Sequence, residues 1–249
     1  MRVEGAMDRD AAASLGALAK YFSLHSYDRG SEVAELNDLY ALRYQIYCLE
    51  CHFLNAARYP DGLETDAYDA RSAHFSATNA EGVVAGTARL VMPVQGEPLP
   101  FFDHCPPFAD FEPPPTAESG EVSRLAVKRE YRRRAGDSLW GINESHLKGP
   151  DAVDESPRGE KRVNAPLLVL GLYRQIYRFS CENGIRYWYA AMEKGLARVL
   201  RIYGFDFTPI GPESDYYGPV TPYLGDLRKL EAALEASNPA LLWWFRSGP

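Results

Sequence analysis

GEVSRLAVKREYRRRAGDS, residues 120–138, is the stretch on which the reading of the fold turns. Its first part, residues 121–127, reads as a strand bearing Glu121, Ser123 and Arg124. That strand runs straight into a basic cluster: Arg124, Lys128, Arg129, Arg132, Arg133 and Arg134, against one acid, Glu130. The chain as a whole carries a formal charge of −7, so this local reversal marks a patch for phosphate or for an acidic partner. A solvated helix face is the bland reading of the same charges. Arg133-x-x-Gly136, followed by Asp137 and Ser138, would set backbone N–H groups at a helix start, where a phosphate is stabilised.

Outward from this stretch the pattern alternates. Towards the N-terminus, residues 83–91 and 72–78 are strand-like runs separated by Asn79-Ala80-Glu81-Gly82, the signature of an antiparallel hairpin. Before them lies a loop, residues 52–69, rich in turn formers and carboxylates. Residues 31–51 carry Leu36, Leu39, Tyr40, Leu42, Tyr44 and Tyr47 at helical spacing, with Ser31 as N-cap. Residues 21–27 alternate like a strand, and residues 1–20 form a leading segment. The Pro-rich stretch 98–115 is incompatible with a regular helix and is expected to wrap the surface.

Towards the C-terminus, residues 144–162 are highly charged and predict an exposed insert. An apolar helix follows over 165–183, ended by Gly184. Residues 185–191 read as a buried strand, 193–203 as a helix closed by Gly204, and 205–210 and 220–224 as short strands. No repeat and no linker divides the chain, so the expectation is one α/β domain over residues 1–249 with a central mixed, mostly antiparallel sheet flanked by helices. Ligands of such open sheets sit where the strand ends splay apart.

Composition narrows the function. With 46% hydrophobic residues in 249, the chain can bury a substantial core. The acidic balance argues against a general nucleic-acid binder. The N-terminus lacks the layout of a signal peptide, the longest apolar run is too short to span a bilayer, and the four cysteines make no disulfide framework. A cytoplasmic protein that is not integral to the membrane is the expectation.

Residues 62–70, GLETDAYDA, hold Glu64, Asp66 and Asp69 within six residues. They read as a cation-gripping or merely solvated acidic loop; a metal cage lacks the accompanying His or Asn pattern, so no metal is expected. His74 on its strand reads as a hydrogen-bonded core histidine, and the aromatic runs 187–189 and 216–217 as core or tunnel lining.

The ordered set of residues resembles the autoinducer (acyl-homoserine-lactone) synthases and the long-chain N-acyl amino acid synthases. It is most similar to the acyltransferases associated with PEP-CTERM/exosortase systems. Arg43, Tyr44 and Tyr47 stand at an R-Y-x-x-F pattern, with Phe53 ten residues beyond the arginine where the autoinducer synthases carry Trp. Glu64, Asp66 and Asp69 match E-x-D-x-x-D, Arg89-Leu90 ends the hairpin, and Glu121, Ser123 and Arg124 match E-x-S-R. Residues 133–138 are similar to the R/Q-x-x-G-x-G/A turn of the N-acetyltransferase superfamily, with Ser138 at its last small position. The resemblance spans residues 21–223.

It implies a GNAT-like (acyl-CoA N-acyltransferase) fold and an acyl-phosphopantetheine donor, on an acyl carrier protein or coenzyme A, with no permanently bound cofactor. The donor arm is expected between the strand ending near Val127 and the strand 185–191, held by Val127, Lys128, Arg129, Arg132, Arg133, Arg134 and Gly136. Glu121 is the candidate proton acceptor, with Ser123 and Arg124 beside it. Arg43, Asp66 and Asp69 would fix the loop, while Arg89 and Arg124 organise it and receive the acceptor's carboxylate. Tyr47 and Phe53 depart from the pocket that takes S-adenosylmethionine in the autoinducer synthases, which favours an amino acid or similar small amine as acceptor. Three alternatives stand beside this reading: a homoserine-lactone synthase using S-adenosylmethionine, a non-catalytic acyl- or lipid-binding module, and a c-type haem protein attached through Cys48-x-x-Cys51-His52.

Overall fold

The computed structural model describes residues 22–28, 31, 33–132 and 165–247. The leading segment, the 144–162 insert, and Arg133, Arg134 and Gly136 of the basic run lie outside the described residues. The strands are β1 (Phe22–Tyr27), β2 (Ser72–Asn79), β3 (Val84–Val91), β4 (Ser119–Val127), β5 (Tyr187–Met192), β6 (Thr208–Pro209), β7 (Ser214–Asp215) and β8 (Pro219–Asp226). They join in one sheet of order β1-β2-β3-β4-β5-β8-β6, with β7 on β8. Every pairing is antiparallel except β4 with β5, which is parallel.

Helices cover both faces. They are α1 (Val33–Tyr44), α2 (Phe101–His104), α3 (Ala165–Glu182), α4 (Lys194–Ile202), α5 (Leu227–Ser237) and α6 (Pro239–Arg246). Successive residues of a strand point to opposite faces, and β2 makes the division visible. Phe75 meets Phe179 of α3, whereas its neighbour His74 meets Tyr40 of α1. On the α3 face, Gly86 lets the helix rest on the sheet: a Cβ there would come within 2.5 Å of Leu168.

This is the mixed, mostly antiparallel α/β architecture expected from the sequence, with four local differences. The helix read over 31–51 is α-helical only to Tyr44 and continues as a π-helix, Gln45–Glu50. The Pro-rich stretch holds the one-turn helix α2. Of the strand read over 205–210, only Thr208–Pro209 pairs in the sheet. Beyond Leu224, where no element is expected above, α5 and α6 pack. Leu227, Leu230 and Leu234 are buried, Asp226 accepts a hydrogen bond from the Arg228 N–H, and Asn238 accepts one from the Leu241 N–H just after Pro239.

Candidate active site

The site lies on the α1 face. Cross-strand register sets His74 of β2 opposite Arg89 of β3, and Arg89 opposite Ser123 of β4, so the three side chains share that face. The last turn of α1 adds Arg43, and the acidic loop folds over all of them. Arg43 donates from Nε to Glu64 at 2.5 Å and from Nη1 to Asp69 at 2.8 Å. Arg89 donates from Nη1 to Asp66 at 2.6 Å and to Asp69 at 2.7 Å, and from Nε to Ser123 at 3.2 Å. Arg124 reaches Glu64 at 3.1 Å and Asp66 at 2.9 Å.

Three guanidiniums therefore neutralise three carboxylates in a nearly closed network. Arg43, Arg89 and Glu64 are fully buried, whereas the Asp66 side chain keeps 21% exposure. Burial alone would raise the Asp69 carboxyl, but Arg43 and Arg89 overcome it and hold the group well below the usual carboxylate range. Asp66 is lowered against burial in the same way, chiefly by Arg89. His74, beneath the network, is pushed down to about 4 by burial, so it stays neutral near pH 7.

A β-bulge aims Arg124. Arg89 pairs with Ser123 but Thr87 pairs with Ala126, so β4 carries an extra residue here, and Arg124 takes φ +52°. Among the described residues, His52 and Tyr217 are the other non-glycine positions with positive φ. Arg124 and Tyr217 line one cleft, and His52 precedes Phe53, which lines it too. Such strain costs on the order of 1–3 kcal/mol per residue and collects at functional sites.

The cleft arises where β4 and β5 part. The two strands pair only from Ser119 with Tyr187 to Glu121 with Tyr189, then diverge while β4 runs on to Val127. The opening encloses about 340 Å³ between Ser123 and Leu125 on one side and Ala190, Met192 and Leu196 on the other. Glu121 stands at the point of divergence, only 4% exposed, with Oε2 accepting the Phe101 N–H at 2.7 Å. Burial pushes its carboxyl up to about 7, opposed by Arg89 and by that N–H.

The mouth of the cleft is aromatic. The Tyr47 hydroxyl donates to the Leu125 carbonyl at 3.2 Å, and the Arg124 guanidinium lies 5.6 Å from the Tyr47 ring and 5.7 Å from that of Tyr217. Phe53 sits 6.3 Å from Tyr47 and 6.1 Å from Tyr217. Leu196 also lines a second apolar cavity of about 340 Å³, walled by Val127, Tyr131 and Arg132 with Val169 and Val199. Arg132 there bonds the Val127 carbonyl and pairs with Glu50, Arg129 is exposed, and Lys128 is bound by its backbone N–H to Ala85. A third cavity, about 260 Å³, shares Arg124, Tyr216 and Tyr217 with the cleft.

Among the described residues no His, Cys, Asp and Glu group is arranged to hold a metal ion. Cys48 is buried, Cys51 packs against the apolar cluster under α1, and the His52 Nδ1 lies 3.2 Å from the Cys48 carbonyl, which leaves no open thiol pair for haem attachment. No helix among the described residues is long and apolar enough to cross a membrane. In the sequence Glu64 is one of three acids in a loop; in the fold it is the most deeply buried of them. Arg58, His104, Tyr216 and Tyr217 come to the site from distant segments, and only the aromatic pair carried a signal in the sequence.

Residues 42–141 match the acetyltransferase (GNAT) domain family. The matched segment holds the end of α1, the acidic loop and strands β2 to β4, and the sheet with its splayed central strands has a GNAT-like fold. Solved structures share the fold. TofI, in a ternary complex with an inhibitor and MTA, superposes with a TM-score of 0.60 at 18% identity, over 88% of this chain and 99% of that one. BjaI, a CoA-dependent acyl-homoserine lactone synthase with SAM and isopentyl-CoA, gives 0.60 at 21%, over 86% and 89%. The AHL synthase LasI gives 0.56 at 16%, over 87% and 95%. No curated protein matches the sequence.

Proposed function

We propose that the chain is a single acyltransferase domain that moves a long-chain acyl group from a phosphopantetheine thioester to the amine of an amino acid or similar small acceptor. The observation that carries this is Glu121: a buried carboxyl, raised to about 7, at the point where β4 and β5 diverge. With the thioester carbonyl between the strands, backbone N–H groups freed on β4 would stabilise the oxyanion. The amine attacks the carbonyl carbon and its proton passes to Glu121. The tetrahedral intermediate then collapses, the C–S bond breaks, and the thiolate takes a proton, leaving an amide and a free thiol.

The pantetheine arm would follow the cavity past Leu196 and Val127. Behind Glu121, Phe102 and Tyr189 face a chamber of about 940 Å³ among Pro93, Pro98 and Pro113, which has room for a long acyl chain. A cytoplasmic location, where acyl carriers work, goes with this reading.

S-adenosylmethionine is the second acceptor reading, because TofI and BjaI, with the same fold, are captured with MTA and with SAM. Mass spectrometry of lipid extracts from cells overproducing the protein separates the two. N-acylated amino acids support the first, homoserine lactones support the second, and neither product above background contradicts both.

An acidic carrier as donor makes a further demand on Lys128 and Arg129. Reversing both to Glu is expected to lower kcat/KM with acyl carrier protein about tenfold at low ionic strength, and to flatten its salt dependence. Turnover of a short acyl-pantetheine donor should hold. An equal loss with both donors would show that the basic pair does not dock a carrier.

A further inference from the structure

We infer that Arg58 recognises the carboxylate of the acceptor, making the substrate class α-amino carboxylates rather than simple amines. This deepens the function proposed above and rests on it. Besides the four tyrosines Tyr59, Tyr68, Tyr216 and Tyr217, the 260 Å³ cavity beside the catalytic cleft has Arg58, Asp66, Arg89, Arg124 and His104 as its charged or titratable groups. Arg89 and Arg124 are committed to the buried network, where Asp66 answers both of them. His104 lies stacked on Tyr216 at 4.3 Å. Arg58 forms none of the ion pairs among the described residues. The cavity wall is thus electrically balanced except for one guanidinium, and an arginine with a free fork binds a carboxylate bidentately.

The mount of Arg58 is built. It closes the 3-10 turn Ala56–Arg58, whose N-cap Asn55 accepts the Ala57 N–H at 3.0 Å through its side chain and the Arg58 N–H at 3.0 Å through its carbonyl. Tyr59, next in the chain, is held edge-on against Tyr44. Because the cavity shares Arg124, Tyr216 and Tyr217 with the cleft, an acceptor anchored at Arg58 presents its amine towards the cleft and Glu121. Arg58 is a specificity residue in this account, and the proton-accepting step remains with Glu121.

The test compares phenylalanine with phenethylamine, which differ by the carboxylate, and adds S-adenosylmethionine as a second source of an α-amino carboxylate. Kinetics with an acyl-pantetheine donor and calorimetric binding without donor are measured for the parent protein, Arg58→Ala and Arg58→Lys. Arg58→Ala should raise KM and Kd for the preferred carboxylate-bearing acceptor about 10- to 100-fold with kcat nearly kept, and leave phenethylamine unchanged. Arg58→Lys should recover part of the loss. Whichever of phenylalanine and S-adenosylmethionine responds identifies the source. A parent that prefers phenethylamine, an equal loss for both acceptor classes, or no loss at all overturns the role of Arg58 while transferase activity stands. Absent transfer with an intact Arg58-dependent binding difference overturns the transferase reading instead.

Discussion

Replacing Glu121 by Gln is expected to cut kcat/KM for acyl transfer by about 10²- to 10⁴-fold, the range associated with loss of a general base. The same substitution should make the protein more stable at pH 8. Glu121 is buried and its carboxyl is raised from 4.5 to about 7. A group whose folded pKa lies above its unfolded value contributes stability that is complete below the unfolded pKa and is lost as pH rises through the folded one. Glu121 therefore costs the parent on the order of 3 kcal/mol by pH 8, the free energy of a shift of that size. Gln keeps an oxygen to accept the Phe101 N–H and never ionises. Melting curves should coincide below about pH 4.5 and separate progressively towards pH 8, with the variant higher. A variant of lower stability at pH 8 would mean that Glu121 is held as an anion by the fold and is no base. The trade of stability for activity is common at catalytic positions.

The second large effect is structural. Arg43→Ala removes the partner that Glu64 and Asp69 share, and removing one member of a buried ion network typically costs about 3–5 kcal/mol. In a chain of this size that lowers the melting temperature by roughly 10 °C. Asp69 is depressed in the folded state, so its contribution is present above the unfolded carboxylate pKa and is lost as pH falls. The deficit of Arg43→Ala should accordingly be full at pH 7 and shrink on acidification. Adding Asp69→Asn to Arg43→Ala should return part of the stability, because it discharges the carboxylate left behind. Full additivity of the two substitutions in urea unfolding would show that the residues are not coupled.

The sheet and its flanking helices were legible because hydrophobic periodicity on β2, β3 and α3 agrees with the tertiary structure. The differences arise where the backbone leaves its regular period. The change to a π-helix at Gln45 and the bulge at Arg124 each insert one residue into a regular pattern, and no composition signals such an insertion. Both fall at the site: the π-helix carries Tyr47 to the Leu125 carbonyl, and the bulge turns Arg124 onto the acidic loop. The C-terminal helices do carry local signals, in the spacing of Leu227, Leu230 and Leu234 and in the Asn238-Pro239 cap.

At the site itself, the ordering of Arg43, Asp66, Asp69, Arg89 and Glu121 along the chain was visible, but not what each side chain touches. Arg89 and Arg124 looked available for a substrate carboxylate, whereas folding commits both to the loop's own acids. Arg58 shows the converse. Nothing around it in the sequence marks it, and its meaning comes from an otherwise balanced cavity wall.

In the proposed function the splay of β4 and β5 makes a thioester-to-amine transfer site with Glu121 as its base. The most direct measurement is the initial rate of amide formation by the purified protein from an acyl-pantetheine thioester and an amino acid, followed from pH 5.5 to 9. Amide product is expected, at a rate that, corrected for the free-base fraction of the amine, still rises through about pH 7 in the parent, and in Glu121→Gln at a rate about 10²- to 10⁴-fold lower without that rise. No amide at any pH, or the same profile in parent and variant, would contradict it.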